Sequence, residues 1–242
     1  MKASRVAGLL FLATTTLAQQ QQPVVEITSE PSHHQVLENE YVRVFDVTVA
    51  PRATTMIHRH HHDYVFVTLG DSDVVSTRVG EKPVELALKD GEVRFTPGNF
   101  AHAAANKSDQ PFHNITIELL KPSTSVKNCT GGCDEPSCAG DAAAGNPGCP
   151  ITSRRMTADQ WQVSMITLPA GTKLADHAYK GPHLIVAVTP LELRSEIGTI
   201  STNIKRDVGG LIWAPTGTAE TLINNSAKTA QMIILEFEPE KQ

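Results

Sequence analysis

The sequence has no long basic run. Its formal net charge is −5, from 21 Lys and Arg against 26 Asp and Glu, so the electrostatic footprint of a nucleic-acid-binding protein is missing and no nucleic-acid partner is expected. It also lacks, after its first residues, any apolar stretch approaching the ~20 residues a spanning helix needs. Strands alternating with long helices, the pattern that builds a parallel sheet, are absent too. The four cysteines, Cys129, Cys133, Cys138 and Cys149, lack the paired CxxC spacing of zinc ribbons.

What is present describes a globular exported chain. With 242 residues, 40% hydrophobic and 19% charged, it is long enough for one large or two small domains with a real core. Lys2 and Arg5 precede an apolar run from Val6 to Ala13, and the small residues Thr16 and Ala18 stand where a cleavage site would follow. Residues 1–18 therefore read as a secretory signal peptide, too short in its apolar run to anchor the chain in a membrane. The expected location is periplasmic or extracellular. Export permits disulfides, and the Gly-, Pro-, Ala- and Asp-rich stretch around the cysteines reads as an exposed linker, residues 123–152, stapled by two local disulfides with no strand pattern of its own. Asn-x-Ser/Thr acceptors at Asn106, Asn114, Asn128 and Asn224 matter only in a glycosylating host.

The rest of the chain is strand-like. Short runs rich in Val, Ile, Leu and Thr, such as "EYVRVFDVTVAP" and "QMIILEFEPE", are bounded by Gly, Pro, Asp or Asn, which predicts an all-β sandwich or barrel. One short helix is expected between Ser153 and Gln160. The cysteine segment divides two similar halves, residues 19–122 and 153–242. Each has a turn at "VAPRA" or "LPAGT", then a histidine-bearing segment, then an apolar strand. Each ends in a Gly…Pro…Asn series, from Gly91 to Asn106 and from Gly209 to Asn224. This is the signature of an internal duplication.

Four of the ten histidines fall between His58 and His62. In a strand His58 and His60 share a face, and two imidazoles on one face can grip one metal ion. Asp63 can add an oxygen, and His102 stands after the "FTPGNF" turn where an adjacent strand would start. Three histidines and a carboxylate suit one divalent transition metal: Fe, Mn, Cu, Ni or Zn.

These segments resemble the two motifs of the cupin superfamily. His58, His60 and Gly70 match the first, with Asp63 at the acidic position and Arg52 at the leading glycine. Gly91, Pro97, His102 and Asn106 match the second, with Asn99 at the inner glycine and Gly98 one place earlier. The resemblance implies two tandem RmlC-like jelly-roll barrels, a bicupin, with His58, His60 and His102 as metal ligands and Asp63 as a fourth. His61 and His62 have no counterpart as ligands. In the second half Gly171, His177, Gly209, Pro215, Gly217 and Asn224 keep register, but Tyr179 stands at the second histidine, His183 at the acid, Pro190 at the closing glycine and Glu220 at the second-motif histidine. Two readings stay open there: a copy that has lost its metal, or a permuted site of His177, His183 and Glu220. Trp161 and Trp213 read as core or interface aromatics.

Residues such as Tyr64, Phe66, Phe95 and Phe100 are expected to line the first barrel, and Arg52, Arg59 or Arg94 to meet an anionic substrate. The functions implied are a metal-dependent enzyme, dioxygenase-like or decarboxylase-like, acting on a small organic molecule, or alternatively a non-catalytic binder of metal or small ligand. A storage role without metal is the third. A homodimer is the assembly implied.

Overall fold

The computed structural model describes residues 23–129, 134–136, 149–216 and 219–239. The signal-peptide reading of residues 1–18 falls outside them, as do Cys133, Cys138 and Gly217. No helix among the described residues is long and apolar enough to cross a membrane.

Strands dominate. The first half contains β1 (Val25–Glu26), β2 (His33–Glu38), β3 (Val42–Val49), β4 (His58–His60), β5 (Tyr64–Leu69), β6 (Ser72–Arg78), β7 (Val84–Leu88), β8 (Val93–Thr96), β9 (Phe100–Asn106) and β10 (Phe112–Leu119). They form two five-stranded sheets, ordered β1-β4-β9-β6-β7 and β2-β3-β10-β5-β8. After β11 (Lys127–Asn128) and β12 (Asp134–Pro136) come β13 (Ile151–Thr157), β14 (Trp161–Leu168), β15 (Lys173–Ala178), β16 (His183–Ala187), β17 (Leu191–Ile197), β18 (Ile200–Arg206), β19 (Leu211–Ala214), β20 (Ala219–Asn224) and β21 (Ala230–Phe237). Their sheets run β13-β14-β21-β16-β19 and β15-β20-β17-β18. Apart from the edge strands β1 and β11, this is the order of the first half, so the duplication is structural: two jelly rolls in tandem.

Two local expectations are corrected. The stretch expected to hold a short helix is the strand β13. It pairs with β14 along Ile151–Thr157, with a register shift between Arg154 and Met156, and long-range pairing overrides weak local preference. The cysteine segment also contributes strand: β11 and β12 both pair with β13. Of the cysteines, Cys129 and Cys149 are described, and neither is a free thiol.

The core has three parts. Phe45, Val47, Val49, Val74, Leu88 and Phe112 fill the first barrel, and Ile166, Leu168, Leu191, Leu193 and Leu222 fill the second. The third lies between the halves, where Val42, Val44, Val65, Ile115 and Ile117 meet Trp161, Val163, Leu184, Ile233 and Leu235. Strand β3 therefore buries both faces, Val42 and Val44 toward the partner half and Phe45, Val47 and Val49 into its own barrel. That explains an apolar run longer than one-sided alternation would give.

Candidate metal centre

The site begins with register. In the first sheet β4 pairs with β9 so that His58 lies directly opposite His102 and His60 opposite Phe100. Strand β6 pairs with the other edge of β9, placing Arg78 opposite His102. One row across three strands thus reads His58–His102–Arg78. His60 is two residues on from His58, on the same face.

The three imidazoles converge. His58, His60 and His102 are all buried, and each offers a ring nitrogen within 4.8 Å of the others'. Among the described residues this is the one such group. His58 Nδ1–H donates to the Met56 carbonyl at 2.9 Å, which leaves Nε2 with a lone pair. That Nε2 is buried with no hydrogen-bond partner. His102 Nδ1 is hydrogen-bonded with Ser76 Oγ at 3.0 Å, which orients the ring. His60 stacks on Tyr64, centroids 4.2 Å apart, and its Nδ1 lies 3.7 Å from Glu118 Oε1. Burial, with the charge of His33, pushes His58 and His60 down to about 3. Burial, then His58, His60, His33 and Arg78, takes His102 to about 2. At neutral pH all three rings are uncharged and have lone pairs to give. A buried acceptor left without a donor costs free energy unless something satisfies it, and a cation would. The donor set fits a divalent transition metal.

The expected fourth ligand is not in the group. Asp63 Oδ1 accepts a hydrogen bond from Gly98 N at 2.8 Å, tying the loop after His60 to the turn before β9. Gly98 packs so closely on the His62–Asp63 peptide that a Cβ has no room there. Asp63 thus pins the loop. His61 is exposed and pairs with Glu26 at 2.9 Å.

Several neighbours were not singled out in the sequence. His33 lies against His58, ring centroids 4.5 Å apart, and its Nδ1–H donates to Glu30 Oε2 at 2.6 Å. Burial raises the Glu30 pKa, but the bonds from His33, Met56 N and Ser32 N outweigh it and hold the carboxylate below its ordinary range. Glu118 is buried in β10; burial raises its pKa, while His62 and Arg43 oppose the rise. Arg43 Nη1 donates to Glu118 Oε2 at 3.2 Å. An acid inside "NITIELL" was the available signal, because a charge in an apolar strand needs a reason.

The replaced motif glycines keep their backbone role. Arg52 and Asn99 have φ of 60° and 62°, and Gly171, at the Arg52 position of the second half, has 67°. The motif asparagines are structural. Asn106 Nδ2 donates to the carbonyls of Val49, Ala50 and Gln110, and Asn224 Nδ2 does the same to Leu168, Pro169 and Lys228.

In the second half two of the ligand positions are otherwise engaged. His183 stacks on Tyr179. Glu220 is buried and accepts a hydrogen bond from Ser195 Oγ, and burial raises its pKa against that bond. The backbone of His177 lies opposite Glu220; its side chain is outside the described residues. His183 and Glu220 belong to no ligand group among the described side chains, and the permuted set with His177 falls outside them.

A cavity of about 380 Å³ opens on the triad. Tyr64, Phe66, Phe95 and Phe100 all line it, as does Arg94. Arg52 instead pairs with Asp109 at the surface.

No family profile matches this sequence, and no curated protein matches it. The likeness is to solved structures. AerE from Microcystis aeruginosa is 12% identical with a TM-score of 0.57, over 86% of this chain and 98% of that one. Oxalate decarboxylase from Bacillus subtilis, a protein with Mn(II) centres, is 9% identical with a TM-score of 0.58, over 87% of this chain and 76% of that one. Such identities speak for the fold alone, two jelly-roll barrels in tandem.

Proposed function

We propose that the first barrel holds one divalent transition metal through His58, His60 and His102 and presents it to a small organic molecule in the cavity beside it. The observation that carries this reading is the buried, unpartnered Nε2 of His58 facing two further neutral imidazoles. Bound there, such an ion supplies a Lewis acid with open coordination positions. The chain's own residues do the rest. Met56 and Ser76 fix two of the rings. Tyr64 and Glu118 flank His60.

Catalysis is the favoured use of this site, in the manner of the metal-dependent decarboxylase whose fold it shares. The substrate differs from an oxalate-sized dianion, which would leave the aliphatic wall formed by Val49, Val74, Leu86, Leu88 and Phe112 unfilled. Capture without turnover is the alternative. The chain is exported through residues 1–18, and its four cysteines staple the segment between the barrels.

Elemental analysis of untagged protein, purified without chelator, tests the metal assignment. About one equivalent of a single transition metal supports it, and none after reconstitution sinks it. Turnover of organic acids by the reconstituted protein then separates enzyme from binder.

A further inference from the structure

The row His58–His102–Arg78 contains a conflict. Two neutral imidazoles face a position suited to a cation, while a permanent cation stands next in the same row. Like charges that share one row repel, and Arg78 is among the charges that hold the His102 pKa down. Arg78 does not turn away. Its guanidinium lies 4.0 Å from the centroid of Phe100, and that ring is 5.2 Å from His102 and 5.6 Å from His60. Its nearest acid is Glu81, exposed and 4.0 Å away, at the limit of an ion pair and of little worth in water. The other guanidinium on the cavity wall, Arg94, is already held by Glu92 at 2.6 Å. An anion lying between Arg78 and the triad removes the conflict, because it neutralises one cation and coordinates the other.

The remaining wall says what kind of anion. Strand β6 sends Val74, Ser76 and Arg78 to the cavity, and β7 sends Val84, Leu86 and Leu88. Exposure grades along both strands: Val74 is 3% exposed and Leu88 1%, whereas Val84 is 54% exposed and the Arg78 side chain 37%. The cavity is therefore charged at its mouth and aliphatic at its closed end, where Val49, Leu88 and Phe112 sit. We propose that Arg78 reads the carboxylate of an organic acid whose apolar body lies among Val49, Val74, Leu88 and Phe112. This deepens the reading given above and rests on it for the metal. Arginine suits the task, since its planar fork meets a carboxylate with two parallel bonds while stacking on an aromatic face.

The test is titration calorimetry on the full chain, metal-loaded and metal-free, with octanoate and hydrocinnamate and with their neutral amides. Wild type is expected to prefer each acid over its amide by roughly tenfold, the scale of a charge-assisted hydrogen bond. Arg78→Met should erase that preference while leaving amide affinity within about twofold, and Arg78→Lys should restore only part of it. Equal binding of acid and amide by wild type overturns the proposal. So does an acid preference that survives in Arg78→Met, or a failure of all the probes to bind folded wild-type protein. Metal content is measured on the same samples. A wild type that takes no metal refutes the metal reading, and its acid preference still reports on Arg78, so the two claims fail separately.

Discussion

Tyr179 stacks on His183 with ring centroids 3.7 Å apart, and the pair fills the positions that His60 and Tyr64 hold, 4.2 Å apart, in the first half. The phenol and the imidazole have exchanged places. Strand register supports the correspondence: Tyr64 lies opposite Glu118 and His183 opposite Glu236. The ring stack survives while the imidazole leaves the ligand strand. One metal per chain is therefore expected. His183→Ala should leave metal content at the wild-type level and His102→Ala should abolish it, both read by elemental analysis. Loss of metal in His183→Ala would show a second site.

Asp63 acts through the Gly98 amide. Asp63→Ala should keep about one equivalent of metal and cost roughly 1–2 kcal/mol of stability in the metal-free protein, the scale of losing a hydrogen bond to a charged group. Thermal denaturation with chelator measures it. Loss of metal in Asp63→Ala would make Asp63 a ligand after all, and unchanged stability of the metal-free variant would exclude the pinning role.

Acid should unfold the metal-free protein by charging its buried imidazoles. Their folded pKa values, about 3, 3 and 2, lie below the ordinary 6.5, so the unfolded chain binds more protons between those limits. The contribution of these rings is complete above about 6.5 and is lost as pH falls, by up to about 1.4 kcal/mol per pH unit for each ring. Glu118 and Glu220, raised from 4.5, act in the opposite sense above that value. The decline should be shallow down to about 4.5 and steepest below it. His102→Gln should flatten that lower limb in denaturant melts taken across pH.

Asn99 holds a left-handed backbone at φ 62°, which glycine adopts freely and asparagine at small cost. Asn99→Gly should be neutral or slightly stabilising, and Asn99→Val should cost about 1–2 kcal/mol, both measured by chemical denaturation. An equal effect of the two would exclude the backbone explanation.

Asn106, Asn114 and Asn224 are buried, while Asn128 is exposed. Of these four acceptors, only Asn128 should carry glycan when the chain is made in a glycosylating host, as peptide mapping would report. Asn106→Ala should cost roughly 2–3 kcal/mol, because three carbonyls lose their donor.

The triad was legible because period-two alternation and motif spacing place His58, His60 and His102 without knowledge of strand order. The role of Arg78 was not legible, because it depends on which strand lies beside β9, and that register is set by pairing far along the chain. The place of His33 beside His58 needed the same knowledge. Asp63 is a ligand type at a ligand position, and its partner here is a backbone amide that no sequence pattern displays. The duplicated Pro…Asn series was visible, and the structure supplies its reason: one buried side chain closing three strand-end carbonyls in each half. β13 shows the limit on the other side, a segment whose local character is weak and whose partners decide it.

The two halves meet through a reciprocal contact. Gly91 of the first approaches Met165 and Val188 of the second, and Gly209 of the second approaches Leu69, His113 and Ile115 of the first. A pair of identical barrels joined this way would be bound by symmetry: any change in one site would appear in both. Tying the pair into a single chain makes their meeting intramolecular and independent of concentration. It also releases each barrel to vary alone. The second can exchange imidazole for carboxyl and phenol and still supply the wall on which the first is built.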